Sequence, residues 1–347
     1  MSRRQNGAPP TISVVFSFRN EESSLPELLT RTSRTLDGEK AGGSIRDYEL
    51  IFVDDDSTDD SRKILARAID DGLPVRIITM SRRFGVSPCV MAGMRYATGD
   101  AVVYLDADLQ DPPELIPKMI AAWTSGHDVD VVHTQRILRK GESAFRRAAN
   151  WLGYSVLGRM SSIPIYREVG DYKLLSRRVV DHLLSLREPN PFLRGLVVWV
   201  GFTQVIVPYE REPRFAGETK FPALGSKVVA NFLDSALISF SAVPLKLSLI
   251  LGSLTMVLAL GYATWVFAAK FLGGTVDGYA SLMIVLLLST SLQAIFHGVA
   301  GLYLYSIYQA TRQRPPFIVR SVSGFPEASA AATCPASADA RREVDRS

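Results

Sequence analysis

The chain has 347 residues, of which 47% are hydrophobic and 21% charged, and its formal net charge at pH 7 is +4. This length allows one or two domains with a sizeable core, and so small a net charge gives no reason to expect a nucleic-acid partner. Two cysteines, Cys89 and Cys334, argue against a disulfide framework and favour a reducing compartment.

The first ten residues, MSRRQNGAPP, contain no apolar stretch, so we expect a flexible tail over 1–10 and no signal peptide. Strand-like apolar runs then alternate with helix-like runs. The predicted strands are TISVVFSF (11–18), YELIFVDD (48–55), VRIITM (75–80), AVVYLDA (101–107) and VDVVHT (129–134). Because these runs are not split into inward and outward positions, they indicate an α/β fold whose mostly parallel sheet is covered on both faces. Ligands bind such sheets beyond the carboxyl ends of the strands.

The C-terminal part is more apolar. Residues 221–246 have an apolar stripe typical of an amphipathic helix at a membrane surface, or of a helix packed on a globular core. Two nearly uncharged runs follow, about 247–269 and 279–308, each long enough to span a bilayer. Buried core helices are the alternative. Residues 309–347 are predicted to be a tail, largely disordered after 321.

Basic residues flank this predicted hairpin on its outer sides. They are Lys220, Lys227 and Lys246 before it, and Arg312, Arg314 and Arg320 after it. The positive-inside rule therefore places the α/β part and both termini in the cytoplasm. We expect an integral membrane protein.

Carboxylates follow two of the predicted strands. Asp54, Asp55 and Asp56 end the second strand, while Asp106 and Asp108, with Gln110, end the fourth. Hard oxygen ligands of this kind suit Mg²⁺ or Mn²⁺, which would bridge a diphosphate and stabilise it as a leaving group. The alternatives are a solvated turn at Asp54–Asp56 and helix capping after Asp106–Asp108.

Other readings of the acidic motifs are weaker. A third D-x-D motif, Asp128–Asp130, precedes a strand and is interpreted as a solvated turn. The first strand is followed by RNEESS rather than a glycine-rich turn, so we expect neither NAD nor FAD binding.

Several strings resemble those of the family 2 inverting glycosyltransferases. SFRNEE, ELIFVDDDSTDD, SRRFG, YLDADLQDPPE, VGDYKLLSR and RFAGETKF occur in the family's order over about 11–320. The resemblance is greatest to the branch that glycosylates polyprenyl phosphates, the dolichyl-phosphate mannose synthase type and its bacterial undecaprenyl-phosphate relatives.

This resemblance implies a GT-A catalytic domain over 11–220 and a role for each matching residue. It implies a nucleotide sugar bound near Glu21, Asp54, Asp56 and Asp106, a metal held by Asp106, Asp108 and Gln110, a catalytic Asp171 near the acceptor phosphate, and phosphate contacts from Arg136, Arg214 and Lys220. The chain departs from the family's pattern at Ser17, Arg19, Asp56, Arg83, Leu302 and Ser306. These departures leave the sugar and the base open.

The expected function is transfer of a hexose or similar sugar from a UDP- or GDP-linked donor to polyprenyl phosphate at the bacterial inner membrane. Polar His297 and Gln293 within the second apolar run suggest a helix contact or a homo-oligomer. Two alternatives are a processive polysaccharide synthase and a non-catalytic scaffold. The first normally carries Q-x-x-R-W and more spans, which this sequence lacks.

Overall fold

The computed structural model describes residues 8–125, 128–136, 169–186, 188, 191–210, 243–272 and 278–326. The chain divides into two compact units. The first comprises residues 1–148, 165–222 and 315–347, and the second comprises 149–164 and 223–314. Most of the predicted interfacial segment, 221–246, lies outside the described residues.

The described residues of the first unit form an eight-stranded sheet, in the order β7-β5-β6-β4-β1-β2-β3-β8. The strands are β1 (Thr11–Phe18), β2 (Asp47–Asp54), β3 (Val75–Met80), β4 (Ala101–Asp106), β5 (Val131–Arg136), β6 (Val169–Ser176), β7 (Gln204–Tyr209) and β8 (Val319–Ser323). Pairing is parallel for β1–β2, β1–β4, β2–β3 and β5–β7, and antiparallel where β6 meets β4 and β5 and where β8 meets β3. Six described strands therefore run in one direction, and β6 and β8 run in the other.

Helices connect and cover these strands. They are α1 (Leu25–Ala41), α2 (Ser61–Asp70), α3 (Val86–Tyr96), α4 (Ile116–Ser125), α5 (Arg177–Ser185) and α6 (Leu193–Trp199), with a short 3₁₀ turn at Pro113–Leu115. The parallel strands are buried on both faces, as their unsplit apolar runs predict; all of β1 beyond Thr11 is buried. The five strands predicted from the sequence are all present.

The position of β8 differs from the predicted domain boundaries. Residues 309–347 are predicted to be a tail, yet Val319–Ser323 form an edge strand of this sheet. Phe325, just beyond the strand, packs against the ring of Tyr96 and the guanidinium of Arg76. This segment therefore belongs structurally to the α/β unit.

The described part of the second unit consists of two long helices, α7 (Val243–Phe271) and α8 (Tyr279–Thr311). They contain the two predicted apolar runs and pack on each other, with Gly252 of α7 near the ring of Phe296 of α8. Many of their large apolar side chains are exposed, including Leu254, Leu288 and Ile295. Counted over the described residues alone, no helix is long and apolar enough to cross a membrane.

Gly93 of α3 allows that helix to lie directly on the sheet. A Cβ at this position would overlap a methyl group of Val15 and lie 3.2 Å from one of Val53. We therefore expect Gly93→Ala to destabilise the protein by about 1–3 kcal/mol through overpacking. Gly38→Ala in α1 is the matched control, since nothing lies within 4 Å of its new Cβ. Helix propensity predicts that the control stabilises by about 0.5–1 kcal/mol. Thermal unfolding of the two variants measures both effects, and equal stabilities would contradict this packing.

Candidate active site

Residues from several strands meet at one edge of the sheet. β2, β4, β5 and β7 end there at Asp54, Asp106, Arg136 and Tyr209. Because β6 and β8 run the other way, they bring the residues of their N-terminal ends, Asp171 and Arg320, to the same edge. The strand directions thus bring the predicted carboxylates together and add Arg320, which the sequence indicated only as a basic residue flanking the apolar runs.

The Asp54 turn is tightly hydrogen-bonded. Asp54 is fully buried, accepts a hydrogen bond from the backbone N–H of Ser57 at 2.8 Å and lies 3.3 Å from Nε of Arg62. Burial raises the pKa of Asp54. The Asp55 carboxylate accepts from the backbone N–H groups of Phe84 and Gly85, at 2.6 and 3.0 Å. Asp55 therefore fastens this turn to the loop after β3 and is not a solvated turn residue.

Arg320 completes this side of the site. Thr79 pairs with Ser321 and Met80 with Val319, so Arg320 is the extra residue of a β-bulge. Its Nη2 lies 3.3 Å from the Asp56 carboxylate and donates to the Ser81 carbonyl at 2.7 Å. Bulges often redirect a side chain towards a functional site. Here the bulge directs Arg320 to Asp56, whose φ is +63°.

Glu21 lies beside the motif at the end of β4. Glu21 is buried, and the Ser24 hydroxyl lies 3.2 Å from its carboxylate and 3.0 Å from the carbonyl of Ala107. Ala107 separates Asp106 from Asp108. Ser24 therefore links Glu21 to the acidic motif. On the side of the Asp54 turn, the backbone N–H of Glu21 donates a hydrogen bond to the Ser61 hydroxyl.

Asp106 and Asp108 are both partly buried. Ser17, in register with Asp106 on β1, donates a hydrogen bond to it at 3.0 Å. Burial, reinforced by the negative charges of Asp171 and Asp108, raises the pKa of Asp106 to about 7. The backbone N–H of Gln110 donates to Asp108 at 3.1 Å. Among the described residues, no group of three or more His, Cys, Asp or Glu side chains is placed to hold a metal.

Asp171 is paired with a residue that the sequence gave no reason to select. Arg194 of α6 donates two hydrogen bonds to the Asp171 carboxylate, one of them from Nε at 3.1 Å. Burial alone would raise the pKa of Asp171, but the charges of Arg194, Lys173 and Arg136 together bring it below its usual range. Asp171 is thus a carboxylate held ionised at the edge of the sheet.

Arg136 lies in a second ionic cluster. Its Nε donates to the Tyr209 hydroxyl at 3.2 Å, its Nη2 lies 3.7 Å from Asp111, and the Tyr209 hydroxyl also bonds to Asp111. Gly170 leaves room for it, because a Cβ there would lie 3.0 Å from the guanidinium. The other predicted phosphate-binding residues, Arg214 and Lys220, lie outside the described residues.

The third D-x-D motif is only in part the solvated turn that we predicted. Asp128 is exposed, with φ of +61°. Asp130 is buried, accepts from the Ser176 hydroxyl at 2.7 Å and pairs with Arg178 at 2.5 Å. It ties β5 to the start of α5, at the opposite edge of the sheet from the other carboxylates.

Comparison with known proteins identifies the family of this chain. The family model described as Glycosyl transferase family 2 matches residues 13–184. The chain is 40% identical over 313 residues to an uncharacterised glycosyltransferase of Bacillus subtilis (strain 168), covering 90% of this chain and 94% of that protein. The chain belongs to glycosyltransferase family 2. The predicted family is therefore confirmed, and the structure confirms the predicted α/β fold with a mostly parallel sheet.

This family 2 glycosyltransferase has a relative with a more specific name. It is 35% identical over 314 residues to the prophage bactoprenol glucosyl transferase homolog of Escherichia coli (strain K12), covering 90% of this chain and 99% of that protein. Among solved structures, a mannosyltransferase from Pyrobaculum calidifontis in complex with GDP-Man and Mn²⁺ matches 88% of each chain, with 17% identity and a TM-score of 0.44.

Asp55 tests the hydrogen bonds that link the Asp54–Asp56 turn to the loop after β3. In Asp55→Ala the N–H groups of Phe84 and Gly85 lose their charged acceptor, so we expect a loss of about 2–3 kcal/mol in the free energy of unfolding. Asp71→Ala removes an exposed carboxylate and should change stability by less than about 0.5 kcal/mol. Chemical denaturation of both variants measures the difference. If Asp55→Ala has the same free energy of unfolding as the control, these hydrogen bonds contribute nothing to stability.

Proposed function

We propose that this family 2 glycosyltransferase transfers a sugar from a nucleotide sugar to a polyprenyl phosphate with inversion at the anomeric carbon. One observation carries the proposal: Asp54, Asp106 and Asp171 lie at a single sheet edge together with Arg136 and Arg194. Carboxylates suit a metal and a nucleotide sugar, while arginines suit phosphates. The relative named a bactoprenol glucosyl transferase supports a polyprenyl acceptor.

A divalent cation, Mg²⁺ or Mn²⁺, fits the residues present. Asp106 and Asp108 supply hard oxygen atoms, and the crowding of negative charge around Asp106 favours a cation there. These two carboxylates, with Gln110, would hold the ion, and the nucleotide's phosphate oxygens and water would fill its remaining positions. When bound, such an ion stabilises the negative charge of a diphosphate leaving group.

The chain's own residues bind and orient the two substrates. Glu21 and the Asp54–Asp56 turn would bind the nucleotide sugar. Asp171, held by Arg194, would orient the acceptor or the sugar for in-line attack. Strong general-base help is unnecessary, because a phosphate monoester with a second pKa near ~6 is already largely dianionic at neutral pH. Arg136, and beyond the described residues Arg214 and Lys220, would offset phosphate charge.

The two long helices suit a lipid substrate. We propose that α7 and α8 associate with the bilayer, where their exposed apolar side chains would contact lipid. The basic residues on the outer sides of the pair favour a cytoplasmic catalytic unit and cytoplasmic termini. A site held at the membrane surface would reach the phosphate of a polyprenyl lipid, and a homo-oligomer through the helices is consistent with this placement.

The direct test incubates the purified protein with Mg²⁺ or Mn²⁺, polyprenyl phosphate and a panel of UDP- and GDP-sugars. Mass spectrometry of the lipid should reveal a product heavier by one sugar residue. Release of nucleoside diphosphate without such a product would reject the acceptor. Failure to consume any donor would favour a non-catalytic scaffold, and a chain of many sugars would favour a polysaccharide synthase.

Asp108 tests the metal site. Asp108→Asn should lower metal-dependent turnover by about 100-fold or more, because loss of a metal ligand forfeits several kcal/mol of transition-state stabilisation. Asp128→Asn is the matched control, since this exposed aspartate belongs to a D-x-D motif away from the site. Near-normal turnover in Asp108→Asn, or undiminished wild-type turnover in excess EDTA, would rule out this role.

The membrane orientation is tested by cysteine labelling in intact cells. Cys89 is fully buried, and Cys334 lies in the C-terminal segment. In Thr275→Cys the new thiol, between the two helices, distinguishes a pair that lies on the bilayer from one that crosses it, because only a crossing pair would let a membrane-impermeant reagent outside the cells reach it. Cys334 should react only after the cells are permeabilised. The reverse labelling pattern would invert the proposed orientation.

A further inference from the structure

Three polar side chains form a fully buried row beneath the acidic edge. Lys173 of β6 pairs with Tyr104 of β4 on one side and with His133 of β5 on the other. None of the three is more than 1% exposed. Asp171 lies two residues from Lys173 along β6, and Asp106 lies two residues from Tyr104 along β4. This polar row is therefore one step further into the sheet than the carboxylates.

Lys173 is the cation of this polar row. Burial lowers the pKa of Lys173 to about 8, and the nearby charge of Asp171 opposes that decrease. His133 is neutral, because burial and the positive charge of Lys173 lower its pKa to about 4. The Lys173 side chain therefore carries most of its charge at neutral pH, in a place that water does not reach.

Within the part of the chain that the structure describes, Nζ of Lys173 has no hydrogen-bond partner. Burying an ammonium group without a partner is unfavourable by several kcal/mol. A methionine would fill a similar volume without this penalty. The charge of Lys173 is therefore free to act electrostatically on groups nearby.

The nearby group is Asp171. The charges of both Arg194 and Lys173 lower the pKa of that carboxyl. Arg194 reaches Asp171 from outside, with 48% of its side chain exposed, so water weakens its charge. Lys173 acts from the interior, where screening by water and salt is weak.

We propose that Lys173 is a positioning residue, a fully buried cation that holds the Asp171 carboxylate in place at the edge of the sheet and so keeps it oriented for the acceptor. The consequence for catalysis rests on the proposed function, since it requires Asp171 to face the reacting groups. The electrostatic part does not depend on which acceptor is used. Lys173 itself touches no substrate, because it is covered on all sides.

The proposal predicts that stability and activity change in opposite directions. Replacing a buried, unpaired charge by an apolar side chain of similar size is often stabilising. Lys173→Met should therefore leave the Tm of the full-length protein unchanged or raise it by about 2–4 °C. It should also lower kcat by about 10-fold or more, because a displaced positioning group slows the reaction. The KM for the nucleotide sugar should stay within about threefold, since the Asp54 turn is untouched.

Two further variants separate charge from packing. Lys173→Arg keeps the cation and should recover most of kcat. Leu175→Met alters the next fully buried position along the same face of β6 without touching a charge, and it should retain wild-type kcat and lose little stability. Wild-type kcat in Lys173→Met would overturn the proposal. So would a parallel fall of kcat and Tm in that variant, which would indicate an ordinary structural role.

A double-mutant cycle tests the coupling to Asp171 without any acceptor. If Lys173 and Asp171 attract each other, Lys173→Met should raise the Tm more in an Asp171→Asn background than in the wild type. Equal changes in both backgrounds would overturn the proposed coupling. If the wild-type protein glycosylates no polyprenyl phosphate, the proposed function fails, but the cycle still decides whether Lys173 holds Asp171.

Discussion

Electrostatic repulsion at one edge of the sheet is the constraint on which the rest of the site depends. Six of the described strands run the same way, so side chains at their carboxyl ends meet, and many of these are carboxylates. Most have a partner: Asp54 has Arg62, Asp56 has Arg320 and Asp171 has Arg194. Asp106 has a neutral serine, and its pKa is raised to about 7. The place where charge is least well compensated is therefore the place where a cation would bind best.

Much of this arrangement could be predicted because it depends on local pattern. Unsplit apolar runs gave the parallel strands, and the aspartates at the ends of β2 and β4 followed from where those runs stop. The family was recognisable from short strings spread along the chain. These signals lie within a few residues of each other, so the sequence displays them directly.

The remaining features depend on contacts between distant residues. Arg194 lies 23 positions from Asp171, and Arg320 lies 264 from Asp56; nothing near either arginine indicates its partner. The antiparallel direction of β6 and β8 was missed for the same reason. Asp130 resembles the functional D-x-D motifs in sequence, yet β5 places it at its N-terminal side, where it forms a structural ion pair. The sequence does show Lys173 as a charged residue inside β6, between Tyr172 and Leu174.

The position of β8 in the chain has a consequence for biosynthesis. Its pairing edge, β3, is complete at Met80, but β8 begins only at Val319, after both long helices. At a typical rate of 5–20 residues per second, roughly 240 further residues take about 10–50 s to synthesise. During that interval the nascent sheet has an open β3 edge, the kind of surface on which strands from other chains add. Ribosome-bound intermediates of this enzyme are thus exposed to misassembly at this edge until β8 emerges from the ribosome.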